Sequence, residues 1–462
     1  METIFNVLDF GAAADGVTLD TAAVQAAVDA CSLAGGGRVL FPRGIYVLAT
    51  VLLRSNVHIV FEEGAQILGA LDFYAYRQQE EIDYPIYQDA SHTYFDLSMF
   101  VGRNCTNISL TGKATIDMRS VWDEDGVRGK AIRHRGPKCI ALRECTNVEI
   151  AELEINNATD LAIYFAGCEN VCIHGIKMYV YIDGISPDNS KNVRIYDCDV
   201  EAGDDGIVFK SSYTLNRLDE CRNVTVSRCR IKSRCNALKF GTETNGGFYD
   251  FHIEDIDIRD TRITAISIES VDGAIIDGVT IKNVTVKNAN APLFIHIGRR
   301  MRGPEGRALG EIRNVTLENI TVDGPYEPYT APAPNYFAYK ANDFYQYPWI
   351  FKGVTPETAA ETISGRYTDW QMTSNCCGLP ERHLENITLR NVHMRLDGGV
   401  TTYEREVPID VPRPYPEVFV YGKILPAKGI YFRYIDGLTL DNVTVTTYRP
   451  DAREDFVMEY IT

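Results

Sequence analysis

The sequence lacks the features that would place the chain in a membrane or send it out of the cell. No apolar run approaches the roughly 20 residues that a membrane-spanning helix needs. The opening segment Met1–Leu8 lacks the charged region and the apolar stretch of a signal peptide. We therefore expect a cytoplasmic protein with no membrane partner.

Positive charge and histidine are both scarce. The 46 Lys and Arg residues are outnumbered by 63 Asp and Glu residues, which gives a net charge of -17. Without a basic stripe, this balance excludes nonspecific binding to nucleic acid. The 8 histidines are scattered, and the 12 cysteines show no metal or redox spacing. We expect free thiols and neither a metal nor a cofactor.

A short strand motif recurs along the chain: Asn or Gly, then a β-branched or aliphatic, a polar and an aliphatic residue. It occurs at Asn107-Ile-Ser-Leu, Asn147-Val-Glu-Ile, Asn170-Val-Cys-Ile, Asn192-Val-Arg-Ile, Asn223-Val-Thr-Val, Gly278-Val-Thr-Ile, Asn314-Val-Thr-Leu, Asn386-Ile-Thr-Leu and Gly437-Leu-Thr-Leu. The period of two predicts strands with one buried face, and the repetition predicts coils stacked in parallel. Asparagine at a fixed corner suits the left-handed conformation, and stacked asparagines can bond along a ladder. We predict one all-β domain over residues 1–462, a single-stranded right-handed parallel β-helix.

Two segments depart from the repeat. Residues 1–37 are predicted to cap the open end of the β-helix with a short helix from Asp20 to Cys31, capped by Asp20 or Thr21 and stopped at Gly35. Residues 324–378 form an excursion rich in aromatic residues. Such a segment is typical of a lid or a wall of a site, and a satellite core or a subunit contact is the alternative.

Three aspartates beside glycines carry the strongest chemical signal. Asp183 lies in Tyr181-Ile-Asp-Gly, and Asp204 and Asp205 lie in Gly203-Asp-Asp-Gly. The interval between them matches one β-helix coil of roughly 20 to 30 residues, so the three carboxyls should meet on one ridge. Carboxylates that close repel each other, and one should keep its proton to higher pH. A proton donor beside a water-activating base is what hydrolysis of a glycosidic bond requires.

With these motifs, the chain resembles glycoside hydrolase family 28, the polygalacturonase family. The resemblance covers nearly the whole chain, through the opening Asp9-Phe-Gly-Ala-Ala-Ala-Asp-Gly, the Gly-Asp-Asp-Gly segment and Gly241-Thr-Glu-Thr-Asn-Gly-Gly. It implies that Asp204 is the general acid, and that Asp183 and Asp205 hold and deprotonate the attacking water. It also implies inversion at the anomeric carbon, with carboxyls roughly 6.5 to 9.5 Å apart.

The chain departs from the family pattern where substrate binds. The family's Gly-His-Gly falls on Cys235-Asn236-Ala237, so Asn236 replaces the usual histidine. Its Arg-Ile-Lys falls on Ser267-Ile268-Glu269, so Glu269 reverses the charge of a lysine that helps to bind a uronate carboxylate. Ordinary endo-cleavage of polygalacturonan is therefore not expected.

Other cations are candidates for an anion-binding patch. Stacking in register predicts Asp205 over Asn236, a column of Val208, Lys239 and Ser267, and a column of Lys210 and Glu269 with Gly241 between them. The candidate substrate-binding residues are Asn236, Lys239, Lys210, Glu243, Glu269, His296, Arg299, Arg300 and Arg135. Among these, Glu243 is expected at the rim, and Arg135 resembles a substrate-side arginine of the family.

The leading hypothesis is an inverting, exo-acting glycoside hydrolase on small pectin-derived oligosaccharides that contain uronate or rhamnose. The first alternative is a polysaccharide lyase or sugar epimerase, in which Lys239 serves as the base. The second is a sugar-binding protein without catalysis, although all three aspartates are present. The expected partner is an oligosaccharide, and a homo-oligomer is compatible with the sequence.

Overall fold

A computed structural model describes residues 3–121, 136–326, 371–403, 406–422 and 424–462. Within these ranges the chain forms a parallel β-helix, in which each named strand pairs in parallel with strands one coil away. The predicted all-β fold class is confirmed. That residues 1–462 form one domain stays a prediction.

The described residues form 29 strands. In chain order these are β1 (Ile4–Asn6), β2 (Asp15–Leu19), β3 (Gly37–Phe41), β4 (Gly44–Leu48), β5 (Val51–Leu52), β6 (Val57–Phe61), β7 (Ala65–Gly69), β8 (Ser98–Arg103), β9 (Thr106–Gly112), β10 (Thr115–Asp117), β11 (Lys138–Arg143), β12 (Thr146–Ala151), β13 (Glu154–Asn156), β14 (Ile163–Ala166), β15 (Glu169–His174), β16 (Lys177–Val180), β17 (Ile185–Asp188), β18 (Lys191–Tyr196), β19 (Asp199–Ala202), β20 (Ile207–Ser211), β21 (Glu220–Ser233), β22 (Asn236–Thr244), β23 (Gly247–Ser270), β24 (Ile275–Ile297), β25 (Glu311–Val322), β26 (Ser374–Cys377), β27 (Leu384–Gly398), β28 (Ala427–Arg449) and β29 (Glu454–Ile461). The helices are α1 (Thr21–Leu33) and short 3₁₀ helices at Val7–Phe10, Phe73–Ala75, Ala90–His92 and Val418–Tyr421.

One sheet of the β-helix positions the candidate site. It contains β8, β11, β14, β17, β20 and β22, followed by the C-terminal parts of β23 and β24. We call it the site sheet. Its inward column of Ile140, Ile163, Ile185, Ile207 and Leu238 is in register and fully buried. Each such side chain stabilises the fold by about 1.5–3 kcal/mol relative to exposure, which fixes the register of the outward residues.

The predicted asparagine corner is confirmed. Asn170, Asn192 and Asn223 have φ angles of 57°, 55° and 55°, in the left-handed region. The Nδ2 of Asn170 donates to Asn147 at 3.0 Å, that of Asn192 to Asn170 at 3.0 Å, and that of Asn223 to Asn192 at 2.7 Å. Gly278 occupies the same corner with a φ of 78°. Glycine and asparagine share this position because both tolerate that backbone conformation.

The predicted N-terminal helix is present, but the side chain of Asp20 does not cap it. Helix α1 packs on β1, β3 and β5 of the first coils, so it covers that end. Asp20 precedes the helix but makes no side-chain cap bond to it. Its carboxylate instead accepts from the backbone N–H groups of Ala13 at 2.6 Å and Ala14 at 3.3 Å. Asp20 therefore holds the preceding loop.

The sequence also made predictions about the cysteines and about the aromatic excursion. All 12 cysteines are free thiols, as predicted. Cys198 and Cys229 occupy equivalent positions on adjacent coils, because the residues that follow them, Asp199 and Arg230, pair in register. The aromatic residues that we predicted in the excursion, apart from the buried Tyr326, lie outside the described residues.

Candidate active site

The structure brings the three predicted aspartates together at the start of two neighbouring strands. Asp183 precedes β17, and Asp204 and Asp205 precede β20. The backbone N–H of Asp205 donates to Oδ1 of Asp183 at 3.1 Å. Asp183 and Asp205 are only 4% and 5% exposed, whereas Asp204 is half-buried. Asp204 is thus the carboxyl of the three that an incoming molecule reaches most easily.

Asp205 is held by residues of the next coil. Asn236 donates to Oδ1 of Asp205 from its side-chain Nδ2 at 2.8 Å and from its backbone N–H at 3.2 Å. The Nζ of Lys239 lies 3.6 Å from Oδ2 of the same carboxylate. Asn236 therefore supplies a donor where the family pattern has histidine, and the carboxylate has a fixed orientation.

The predicted register is confirmed in part. Val208 pairs with Lys239, and Lys239 with Ser267, as expected. The predicted column of Lys210 and Glu269 around Gly241 is wrong, because the register shifts after Phe209. Gly241 still lies beside Glu269, where an added Cβ would come within 3.4 Å of the Glu269 Cβ.

Lys239 is the centre of a buried charged cluster. Its Nζ lies 3.0 Å from Glu417, 3.6 Å from Asp205 and 3.6 Å from Glu269. Burial disfavours the ammonium, but Asp205, Glu417 and Glu269 outweigh burial and raise the pKa of Lys239 well above its usual value. Lys239 is therefore a fixed positive charge.

Two acids of this cluster hold protons more tightly than usual. Burial, opposed by Lys239 and reinforced by Glu417, raises the pKa of Glu269 to about 8. Burial also raises the pKa of Glu417, again against the effect of Lys239. The Oγ of Ser267 donates to Glu269 at 2.7 Å. That one of the three aspartates keeps its proton to higher pH stays a prediction.

A second buried network surrounds Lys210. Its Nζ lies 2.9 Å from Glu243, which also pairs with Arg302 and lies 3.8 Å from Nε2 of His92. Burial would raise the pKa of Glu243, but Lys210, His92 and Arg302 outweigh it and hold that pKa well below the usual range. We expected Glu243 at the rim of the site. It is only 2% exposed, so it lies below the surface and not at the rim.

The other predicted substrate-binding residues that the structure describes, His296, Arg299 and Arg300, are buried or paired with an acid. His296 is 1% exposed, and burial lowers its pKa to about 3, so it is neutral. Its Nδ1 lies 2.7 Å from the hydroxyl of Tyr421. Arg299 pairs with Glu381 at 2.7 Å, and Arg300 pairs with Asp272 at 2.5 Å. Arg135 lies outside the described residues.

Residues 406–422, between β27 and β28, supply functional groups that sequence reasoning missed. We call them the wall segment. Val418 is fully buried, and its carbonyl accepts from Nδ2 of Asn375 in β26 at 2.9 Å. Besides Glu417 and Tyr421, the segment carries Asp410, whose Oδ1 lies 3.9 Å from His296. The segment follows no repeat, so no periodic signal pointed to these contacts.

Asp204, Asp205 and Cys235 form a cluster whose ligand atoms all lie within 4.8 Å of one another. Burial raises the pKa of the Cys235 thiol well above its usual value, which keeps it protonated and a weak metal ligand. The nearest oxygens of Asp204 and Asp205 are also closer than the roughly 6.5 to 9.5 Å between the carboxyls of inverting enzymes.

Comparisons with known proteins agree with this fold. The family model described as "Glycosyl hydrolases family 28" matches residues 86–325, and the chain belongs to that family. The match includes all three aspartates and most of the residues around Lys239, but not the wall segment.

Two curated relatives and one solved structure illustrate the likeness. The chain is 27% identical over 265 residues to a probable polygalacturonase from Vitis vinifera, covering 54% of each chain. It is 24% identical over 311 residues to an exo-poly-alpha-D-galacturonosidase from Dickeya chrysanthemi, covering 54% of this chain and 50% of the relative. It therefore spans about half the length of these relatives. An exopolygalacturonase structure from Thermotoga maritima has a TM-score of 0.68 at 18% identity, covering 96% of this chain and 92% of that one. This likeness supports the right-handed β-helix.

The described part of the chain contains no helix long and apolar enough to cross a bilayer.

Proposed function

We propose that the chain is an inverting, exo-acting glycoside hydrolase on pectin-derived oligosaccharides that contain uronate or rhamnose. One observation carries this proposal: Asp183 lies next to Asp204 and Asp205 on the adjacent coil, in a member of glycosyl hydrolase family 28. The two curated relatives are named for polygalacturonase or galacturonosidase activity, which supports pectic substrates.

The exposure of the three carboxyls assigns their roles. Asp204, the most accessible, protonates the leaving glycosidic oxygen. Asp183 and Asp205 hold a water against the anomeric carbon and take its proton as the bond breaks. Asn236 and Lys239 keep Asp205 oriented for that step.

The wall segment supports exo action. It packs against the C-terminal side of the site sheet, with Glu417 within 3.0 Å of Lys239 and Tyr421 within 2.7 Å of His296. A wall on that side of Asp205 favours a pocket that takes the end of a sugar chain over a groove that takes its middle. The Dickeya relative is named an exo-acting enzyme, which agrees with this geometry.

The state of Lys239 disfavours the lyase and epimerase alternatives. Those reactions need a neutral base near the proton alpha to a uronate carboxyl. Lys239 is 3% exposed, and its carboxylate partners raise its pKa well above the usual value, so it stays protonated at neutral pH. We therefore expect no unsaturated product, and no rise of near-ultraviolet absorbance during turnover.

A comparison of polymer and oligomer tests the proposal. We expect release of a terminal sugar from pectic oligosaccharides, with almost no early fall in the viscosity of polygalacturonan. A rapid loss of viscosity would overturn exo action but keep hydrolysis. An increase in near-ultraviolet absorbance would overturn hydrolysis in favour of a lyase. The Asp204→Asn variant serves as the blank for both measurements.

A further inference from the structure

Among the described residues, three side chains of the cluster around Lys239 each have a buried oxygen without a hydrogen-bond partner. Oδ1 of Asn236, Oε2 of Glu269 and Oε2 of Glu417 are buried and have no hydrogen-bond partner among the residues that the structure describes. Buried polar atoms without a partner are uncommon, because each has lost its hydrogen bonds to water without replacement. The three belong to side chains within one network, since Glu417 Oε1 lies 3.5 Å from Asn236 Nδ2 and 3.0 Å from Lys239 Nζ.

The cations of the site are already engaged. An ammonium has three hydrogens to donate, and Lys239 faces three carboxyl groups, those of Asp205, Glu269 and Glu417. Lys210 is similarly bound to Glu243 at 2.9 Å. A substrate carboxylate entering beside Lys239 would therefore compete with the three resident carboxyl groups for the same donors.

We propose that the sugar residue bound beside Lys239 and Glu417 is neutral, and that Glu417 is the residue that excludes a uronate from this subsite. The inference rests on the proposed function, because it assigns a substrate class to the same site. Of the side chains of Asn236, Glu269 and Glu417, that of Glu417 keeps exposed surface, so a hydroxyl group of a neutral sugar donates to its carboxylate. The carboxylate of a uronate has no hydrogen to donate at this position. It would also place a second negative charge beside that of Glu417.

The position of Glu417 makes it the selecting residue. Glu269 and Asn236 are fully buried, whereas Glu417 keeps 7% of its surface exposed, beside the 5% of Asp205. A like charge brought next to Glu417 weakens binding, and the tenfold effect expected below corresponds to about 1.4 kcal/mol. Rejection by an unpaired like charge is a general route to specificity.

Four α-1,4-linked disaccharides test this inference: digalacturonate, the two mixed disaccharides of galacturonate and galactose, and digalactose. Each carboxylate is thereby compared with a hydroxymethyl group at one position. Binding is measured by calorimetry on the Asp204→Asn protein, with and without Glu417→Gln, and turnover on the protein with Asp204 intact. The matched control is Glu63→Gln, which changes an exposed glutamate between β6 and β7.

We expect that replacing the carboxylate at one of the two positions tightens binding about tenfold, and that Glu417→Gln removes most of this preference while Glu63→Gln leaves it unchanged. Preference for a carboxylate at both positions, or a preference that Glu417→Gln does not alter, overturns the inference. Selective binding without any turnover by the intact protein overturns the proposed hydrolysis but keeps the inference. Absence of both binding and turnover contradicts both.

Discussion

The ammonium of Lys239 lies 3.0 Å from a carboxylate oxygen of Glu417, although 178 positions separate the two residues in the chain. Lys239 belongs to the coil that follows Asp204 and Asp205, and Glu417 belongs to the wall segment. This ion pair therefore ties the wall segment to the coil that orients Asp205. The pair is almost fully buried, so water and salt screen it little.

Removal of the Lys239 charge should destabilise the protein strongly. Lys239→Met leaves Asp205, Glu269 and Glu417 without their shared cation, and loss of one partner of a buried ion pair costs about 3–5 kcal/mol. We expect a clear decrease in the urea concentration at the midpoint of unfolding. The matched control is Lys282→Met, whose exposed pair with Glu254 should contribute at most about 1 kcal/mol. Equal shifts for the two variants would contradict the account of the cluster.

The buried acid Glu269 should make stability depend on pH. Its pKa is raised by burial from 4.5 to about 8, so between these values the folded chain holds a proton that the unfolded chain has lost. The free energy of unfolding that this group contributes is complete below pH 4.5 and decreases as the pH rises to about 8.

Glu269→Gln checks this pH dependence, because glutamine resembles the protonated acid in shape. Urea unfolding at intervals from pH 5 to about pH 8 should show a shallower decrease in stability for the variant. The slope removed should be at most about 1.4 kcal/mol per pH unit. An unchanged slope would mean that Glu269 is ionised in the folded protein throughout this range.

The asparagine ladder should contribute stability at each rung. Asn192 has a φ of 55° and bonds to both Asn170 and Asn223. Asn192→Ala loses both bonds and places alanine in the left-handed region, which costs about 1–2 kcal/mol for the backbone alone. Asn192→Gly loses the same bonds without that backbone cost, so its urea midpoint should lie between those of the alanine variant and the unaltered protein. An alanine variant as stable as the glycine variant would contradict the role of the left-handed corner.

The repeat made much of the site sheet predictable. Period-two alternation placed Asp205 beside Asn236, and Lys239 beside Ser267, in adjacent coils. That works because the buried column, with Ile207 over Leu238, fixes the register of every outward residue on the same strands. The spacing rule failed at Lys210, where the register shifts after Phe209 and the strands no longer align residue for residue.

Contacts made by irregular segments were not predictable from the pattern. His296 and Lys239 were both expected to bind substrate, yet the hydroxyl of Tyr421 in the wall segment contacts His296 and Glu417 of the same segment pairs with Lys239. Neither contact leaves a periodic trace, because each joins a repeat strand to a non-repeating segment far along the chain. The contact of Asp20 was also not predictable from the pattern. Its carboxylate accepts from the backbone N–H of Ala13, which precedes it, and not from the helix that follows it.

The most direct test of hydrolysis by the three aspartates follows the product by proton NMR in real time. A pectic oligosaccharide is incubated with the unaltered protein, with Asp204→Asn, and with the matched control Asp441→Asn, which changes an exposed aspartate on a different sheet. We expect a terminal sugar that first appears in the inverted anomeric form, at a rate that Asp204→Asn lowers by about 10²- to 10⁴-fold and Asp441→Asn leaves unchanged. A product of retained configuration would contradict inversion, and an undiminished rate in Asp204→Asn would contradict the assignment of Asp204 as the acid.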